Sequence, residues 1–354
     1  MTRGRGLAAL GLICLAFAAI GCGSDSTKPP SSTEERPDTL KLIVPGFPRI
    51  EPPADNPTTR QGVELGRRLF YDTRLSINRS ESCGTCHDPA FAFTDRGRQF
   101  SLGAEEQSGD RNAPAVINLA WSRDLFWNGR ATGLEAQALL PVENPIEMME
   151  HWPNVVTKLS DDPDYPRLFH RAFGSEEITK TRVVQAIAQF ERTLLSYDAK
   201  YDRILRGEAA FTESEQRGYR LFFTEKADCF HCHVDITFTD YDFHDNGLDN
   251  PPPPARAEVT GNPIDVGAWK TPTLRNVIFT APYMHDGRFT TLRQVIDHYD
   301  SGEGIAESIP FVHFGRGLAL SEGDKTDLLN FILCLTDSSF VKNPAFQDPA
   351  KAAR

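Results

Sequence analysis

Apolar residues recur at helical spacing in three segments of the chain. The first segment is TTRQGVELGRRLF, in which Val63, Leu69 and Phe70 fall on one helical face. The other two segments show the same spacing at Val183, Val184, Ile187, Phe190 and Leu194 and at Leu328, Leu329, Ile332 and Leu335. No convincing run of strand residues occurs, although the proline-rich residues 250–267 are compatible with short ribbons. The pattern predicts a mainly α fold whose apolar stripes form the core.

Two of the predicted helices are copies of one another. The first copy is ELGRRLFYD and the second is QRGYRLFFTE. The matching residues are Gly66, Leu69 and Phe70 in the first copy and Gly218, Leu221 and Phe222 in the second. The second copy begins with a capping box, in which Thr212 is followed three residues later by Glu215. The last helix is predicted to begin at a Ser321 cap.

Each copy is followed by a C-x-x-C-H box. Two thiols at this spacing can form thioether bonds to the vinyl groups of one haem, while the next histidine binds its iron. The boxes consist of Cys83, Cys86 and His87 and of Cys229, Cys232 and His233. A redox disulfide and half of a zinc site are the alternatives, and both become less favourable when two boxes occur in register. We therefore expect two covalent c-type haems in two tandem cytochrome-c-like domains, residues 57–198 and 199–342, with a tail at 343–354.

The first residues have the pattern of an export signal. Two arginines precede the apolar run LAALGLICLAFAAIG, which is too short for a comfortable membrane span. The run ends on small residues before Cys22, which resembles the lipobox of bacterial lipoproteins and implies cleavage before this cysteine and its lipidation. A plain signal peptide cut near Gly23 is the alternative. We expect a lipoprotein-type signal peptide at residues 1–22 and a flexible tether, rich in Ser, Pro and charge, at 23–56.

This N-terminus predicts a periplasmic protein that a lipid anchor alone attaches to a membrane. Gly23 after the lipidated cysteine favours the outer membrane. The seven cysteines are then accounted for without a disulfide, because four hold haem, Cys22 carries lipid, Cys14 leaves with the signal peptide and Cys334 is a buried thiol on an apolar helix face. The formal net charge of -11 argues against a nucleic-acid partner and permits a basic protein partner.

Six ordered motifs carry a resemblance to a known family. They are GRRLFYDTRLS, SCGTCHDPAFAFTD, RNAPAVINLAW, FWNGRATGLEAQALLPVENPIEM, TPTLRNVIFTAPYMHDGRFTTL and HYDSGEG. Through them the chain resembles the bacterial di-haem cytochrome c peroxidase and MauG family, from about Gly62 to Asp337. The resemblance implies that hydrogen peroxide is reduced at the N-terminal haem with electrons passed through the C-terminal haem.

The resemblance also implies roles for pocket residues. Glu147 matches the distal acid–base glutamate of the family, and a carboxylate in a partly apolar pocket can move a proton from one peroxide oxygen to the other. Gln137 matches a distal glutamine that hydrogen-bonds the oxygen species. Trp127 matches a tryptophan that carries electrons between the haems. Some members close the first iron with a histidine where this chain has Ala104, so we expect an open iron that needs no reductive activation.

A calcium site is implied by the same resemblance. Its ligands would be Asn112 and the backbone carbonyls of Thr280 and Pro282. An oxygen-rich set with few charges suits Ca²⁺ that keeps several waters. Taken alone, the sequence RNAP that contains Asn112 is typical of a turn.

The sixth ligand of the second iron has two candidates. Tyr299 lies on the apolar face of a predicted helix and should point into the haem pocket, as the tyrosine of MauG-like members does. The apolar residues of that face are Leu292, Val295 and Ile296. His298 lies about 100° away around the helix and is predicted to be exposed. Met284 is the alternative, because true peroxidases of the family place methionine at this position.

The identity of this ligand separates the two leading functional hypotheses. A thioether favours ferrous iron and fits a peroxidase fed by a small periplasmic donor, either a cytochrome c or a cupredoxin. A phenolate favours higher oxidation states and fits a MauG-like enzyme that uses peroxide to oxidise aromatic residues of a partner protein. A non-catalytic di-haem electron carrier is disfavoured by the open first iron and by Glu147. The sequence predicts a peroxide-dependent di-haem oxidoreductase and leaves its reducing substrate open.

Overall fold

Helices dominate the fold, as the apolar periodicity predicts. The computed structural model describes residues 37–302 and 317–352, so Cys22 and the predicted signal peptide lie outside the described residues. The helices are α1 Arg60–Phe70, α2 Cys83–Cys86, α3 Leu134–Glu143, α4 Trp152–Ser160, α5 Tyr165–Phe173, α6 Lys180–Glu191, α7 Lys200–Leu205, α8 Glu213–Phe222, α9 Ala257–Thr260, α10 Leu292–Ser301, α11 Glu322–Leu333, α12 Ser338–Lys342 and α13 Pro349–Ala352. The mainly α fold is confirmed, and its division into two haem domains stays a prediction.

The strands are two-residue antiparallel ribbons. Strand β1, Asp124–Leu125, pairs with β2, Ala131–Thr132. Strand β3, Phe243–His244, pairs with β4, Trp269–Lys270. The second ribbon therefore flanks the proline-rich residues 250–267, which the sequence had suggested as the ribbon itself.

The internal repeat is a repeat of helix packing. Helix α1 packs against α6, and α8 packs against α11. A Cβ atom on Gly66 would lie 1.8 Å from the carbonyl oxygen of Ala186, and one on Gly218 would lie 1.9 Å from that of Asp327. Because glycine has no Cβ, the crossing helix can approach to backbone contact at both places. The same crossing is thus built twice.

Aromatic pairs adjoin both crossings. The rings of Phe70 and Phe190 meet edge to face at 5.3 Å, and those of Phe222 and Phe331 do so at 5.1 Å. This arrangement favours the ring quadrupoles. Each pair belongs to its own apolar cluster, one formed mainly by residues 65–194 and the other by residues 201–335.

The predicted helix starts are confirmed. The Thr212 side chain accepts a hydrogen bond from the backbone N–H of Glu215, and the Glu215 side chain returns to the Thr212 N–H. Ser321 caps α11 in the same reciprocal way with Asp324. These contacts satisfy N–H groups that a helix start leaves without partners. Cys334 is buried, as predicted.

The predicted tether at 23–56 extends too far towards the C-terminus. Val44 and Ile50 are buried and pack with Leu195. Phe47 stacks on Trp121 at 5.2 Å. Residues 37–56 therefore include apolar anchors that pack onto the helical core, although their composition resembles that of a linker.

The predicted tail at 343–354 also contributes to the core. Phe346 is buried in the first apolar cluster, 5.3 Å from the ring of Phe340, and its carbonyl accepts a hydrogen bond of 2.5 Å from the Tyr71 hydroxyl. Within the two described ranges, no helix is both long and apolar enough to cross a membrane.

Candidate active site

The first C-x-x-C-H box is held by a short helix and a histidine hydrogen bond. Cys83 and Cys86 are the ends of α2, which begins at a capping box between Ser82 and Thr85. The Nδ1 atom of His87 lies 2.8 Å from the carbonyl oxygen of Phe93. Because a carbonyl only accepts hydrogen bonds, Nδ1 carries the proton and Nε2 keeps its lone pair for a metal.

The second box repeats this arrangement. His233 follows Cys229 and Cys232, and its Nδ1 atom lies 3.1 Å from the carbonyl oxygen of Phe238. Burial lowers the pKa of both box histidines, so each imidazole is neutral, as a ligand must be. The four box cysteines are free thiols rather than disulfides.

These residues fit a c-type haem in both halves. Each box borders an apolar cavity, of about 450 Å³ at the first box and about 250 Å³ at the second. In each cavity wall two thiols stand beside an imidazole whose Nε2 atom is available, and this is the donor set that a covalently attached haem requires. At the second box Cys232, Asp240 and His244 could instead hold a metal ion through ligand atoms within 4.8 Å of one another. A haem explains both boxes by one chemistry.

Glu147 and Gln137 border the first cavity together with His87. Burial raises the pKa of Glu147, and the positive charge of Arg130 and a hydrogen bond from Asn144 oppose this rise. The Asn144 amide donates that bond to Glu147 Oε1 over 2.5 Å. A half-buried carboxyl group with a raised pKa is suited to taking up and returning a proton.

The loop that contains Gly103 and Ala104 packs against the backbone of the Glu147 segment. The backbone N–H of Ala104 donates a hydrogen bond of 2.7 Å to the Glu147 carbonyl. A Cβ atom on Gly103 would lie 2.3 Å from the Ile146 carbonyl oxygen, so only glycine allows this approach. Ala104, the residue at the position of the family histidine, is buried under this contact.

Trp127 borders both cavities. Its indole Nε1 donates a hydrogen bond of 2.7 Å to the carbonyl of Asn112. Its own carbonyl accepts a bond of 2.8 Å from the backbone N–H of Lys270. These contacts hold Trp127 at the border of both cavities.

Tyr299 and Met284 both border the second cavity. Asn246 connects them, because its amide lies 3.6 Å from the Met284 sulfur and its side chain is also hydrogen-bonded to Tyr299. Burial raises the pKa of Tyr299 to about 12, against the effect of Asn246. His298 is half-buried and its Nε2 lies 3.0 Å from the Asn246 carbonyl, so the prediction that it is exposed is wrong.

The three residues predicted to bind calcium border the second cavity as well. The Asn112 amide donates hydrogen bonds to the carbonyls of Arg98 and Gln99 over 3.2 and 3.0 Å. These bonds leave Asn112 Oδ1 as the side-chain atom that the predicted calcium ion would contact. Thr280 and Pro282 border the same cavity, and backbone carbonyl oxygens have the chemistry that Ca²⁺ prefers.

Some residues of the two cavities were missed from the sequence. Glu191 and Arg130 border the first cavity, Asn246 borders the second, and Lys270 borders both. Arg130 stands inside the quoted motif FWNGR and could have been found there. Glu191 follows Phe190 of the apolar stripe that predicts core packing, and Asn246 stands in no motif.

Known proteins match this chain over most of its length. A family model described as di-haem cytochrome c peroxidase matches residues 60–210. A methylamine utilization protein MauG of Methylophilus methylotrophus is 39% identical over 310 residues, which are 87% of this chain and 89% of that protein. A cytochrome c551 peroxidase of Nitrosomonas europaea is 37% identical over 250 residues, 69% of this chain and 74% of that protein.

A solved structure gives the same assignment of fold. It is that of a MauG-like protein associated with microbial copper homeostasis, which superposes with a TM-score of 0.81 at 38% identity. The match covers 87% of this chain and 98% of that one.

Proposed function

This chain belongs to the di-haem cytochrome c peroxidase and MauG family, and we propose that it reduces hydrogen peroxide at the first box with electrons that enter through the second. Membership makes it a peroxidase-type oxidoreductase and implies two c-type haems. Haem held by His87 would supply the iron at which the O–O bond breaks. The observation that carries the proposal is the shared cavity of His87, Glu147 and Gln137.

The protein groups have separate tasks in this reaction. Peroxide takes up two electrons and two protons and becomes two waters. The Glu147 carboxylate receives a proton from one peroxide oxygen and delivers it to the other oxygen. That second oxygen then departs as water. The Gln137 amide orients the oxygen atoms by hydrogen bonding, and Trp127 carries electrons from the second half to the first.

The proposal extends to the surroundings of the protein. The sequence motifs support a periplasmic protein that a lipid on Cys22 anchors to the outer membrane. They also support a calcium ion bound by Asn112, Thr280 and Pro282. The electron donor would be a small cytochrome c or cupredoxin.

The decisive variant is Glu147→Gln in the haem-loaded protein. It should keep both haems and slow the reaction with peroxide by about a hundredfold or more, the usual scale for a general acid–base group. Glu143→Gln is the matched control, because Glu143 is the exposed last residue of α3, shortly before Glu147 in the chain, and does not border the first cavity. Rapid mixing with peroxide measures both. Equal rates in the two variants would remove Glu147 from the reaction.

A second function is favoured by Tyr299. A phenol beside the second box suits a site that holds oxidising equivalents, and such a protein would use peroxide to oxidise aromatic residues of a partner protein. The MauG relatives at up to 39% identity support this alternative.

A further inference from the structure

Glu191 is a buried carboxyl group that the proposed reaction does not use. It is the last residue of α6, its exposed fraction is 5%, and it borders the first cavity. Its Oε2 atom has no hydrogen-bond partner among the described residues. A buried polar atom without a partner costs free energy, so its position in a cavity wall calls for a role.

The nearby cation is already committed to another carboxylate. Arg192 Nη2 donates a hydrogen bond of 2.8 Å to Glu135 Oε1, and Arg192 Nη1 donates one of 3.0 Å to the Thr58 hydroxyl. The Arg192 guanidinium therefore lies near the carboxyl groups of Glu135 and Glu191 but forms its ion pair with Glu135. This arrangement leaves Glu191 to be neutral, because a second buried negative charge would lack compensation.

The charged groups around Glu191 agree with this assignment. Burial is the main cause that raises its pKa, to about 8, the negative charge of Glu135 adds to the rise, and Arg192 opposes it. Glu191 also acts on the Cys83 thiol, which becomes an uncharged thioether when haem is attached, and Glu147 and Arg130 border the same cavity. Glu191 is therefore a protonated acid at neutral pH.

Glu135 connects Glu191 with solvent. Its side chain is 25% exposed and it lies in the first turn of α3, the helix that also carries Gln137. Because its charge acts on Glu191 while its surface meets water, a proton released by Glu191 can be replaced from this side.

We propose that Glu191 is an internal proton donor of the first cavity and that Glu135 helps to reload it from solvent. The inference rests on the proposed function, since peroxide reduction consumes two protons and Glu147 only relocates one between two oxygens. In this step the O–H bond of the Glu191 carboxyl group breaks and the proton passes to a water of the cavity. The carboxylate that remains takes a proton from solvent at Glu135, so no electrons are exchanged.

Infrared difference spectroscopy of the haem-loaded protein tests the protonation directly. Wild type should show a carboxylic acid C=O band that shifts in D₂O and disappears as the pH rises through about 8. Glu191→Gln should lose this band, and Glu147→Gln should keep it. A band that persists in Glu191→Gln would overturn the proposal.

Peroxide turnover tests the role. Glu191→Gln should lower the rate at neutral pH by about tenfold, less than the loss of a directly acting general acid, and should remove the decline near pH 8 that we expect in wild type. Glu191→Asp should restore part of the rate at neutral pH and part of the decline near pH 8. Glu150→Gln is the control, because Glu150 is equally buried and pairs with Lys158 away from both cavities.

The outcomes are distinct. An unchanged rate and pH profile in Glu191→Gln, or an equal effect in Glu150→Gln, would overturn the proton donor alone. A wild-type protein that shows the infrared band and consumes no peroxide would overturn the proposed function, and the proton donor with it.

Discussion

Trp127 and Asn112 are joined by a hydrogen bond of 2.7 Å from the indole Nε1 to the Asn112 backbone carbonyl. Both residues border both cavities. The bond therefore sets the orientation of an aromatic ring whose residue borders both cavities. Asn112 is also predicted to bind calcium. The Trp127 ring and the predicted calcium site therefore both depend on the position of Asn112.

Trp127→Phe should preserve both haems and slow electron delivery to the first site. The phenyl ring keeps the packing, but it is much harder to oxidise than an indole and cannot donate to Asn112. Stopped-flow spectra after reduction and peroxide addition measure the transfer. Trp121→Phe is the control, because Trp121 donates to the Pro48 carbonyl over 3.1 Å and borders neither cavity. Equal transfer rates in the two variants would exclude Trp127 as the carrier.

Gly66→Ala and Gly218→Ala should each destabilise the protein by about 3 kcal/mol or more, as severe overpacking does. The added Cβ would stand 1.8 or 1.9 Å from a backbone oxygen of the crossing helix, which must then move. Denaturant unfolding measures the free energy.

Gly323→Ala is the control for both glycine variants. Gly323 also lies in a helix, α11, but a Cβ there would meet no atom closer than 3.7 Å. Alanine should therefore stabilise it slightly, by up to about 1 kcal/mol. A similar loss in all three variants would mean that the close helix crossing at Gly66 and Gly218 is not the cause, because alanine by itself favours a helix.

Local patterns made the helices predictable. The caps at Thr212 and Ser321 and the repeat around Gly66 and Gly218 depend on residues a few positions apart, and the structure has them where the sequence placed them. The packing of Ile50 was not predictable, because its partner Leu195 is far away along the chain and the surrounding composition is that of a linker.

The missed parts of the site have the same cause. His298 was predicted to be exposed from its angle on α10, but the carbonyl that it meets belongs to Asn246, 52 residues earlier. Glu191 was passed over because the apolar residues around it form a core stripe. Its burial, its orphaned oxygen and the commitment of Arg192 to Glu135 become visible only when the chain is folded.

Glu191 should also make stability depend on pH. Its pKa is raised from 4.5 to about 8, so between these values the folded protein keeps a proton that the unfolded chain releases. The free energy of unfolding should therefore fall as pH rises through this interval, by up to about 1.4 kcal/mol per pH unit. Glu191→Gln should remove this component. Urea unfolding across the interval measures it, with the exposed Glu143→Gln as the control that keeps the wild-type slope.

Tyr299 is predicted to bind the second iron. Its phenol borders the same cavity as His233, and ferric iron would supply the positive charge that a buried phenolate needs. Because a phenolate donates charge to iron, Tyr299→Phe should raise the reduction potential of that haem, while the first haem still binds small ligands. Potentiometric titration of the two haems measures the change.

Met284→Leu separates the two candidate ligands. Asn246 contacts both side chains, so the protein scaffold alone does not choose between them. Met284 borders the cavity with a backbone φ of +76°, a strained value for a residue with a Cβ. With Tyr299 as the ligand, the magnetic circular dichroism of the ferric protein should lack the near-infrared methionine-to-iron band, and Met284→Leu should leave the spectrum unchanged. A methionine band in wild type that is lost in Met284→Leu would assign the iron to Met284 and favour the peroxidase with a small electron donor over the MauG-like function.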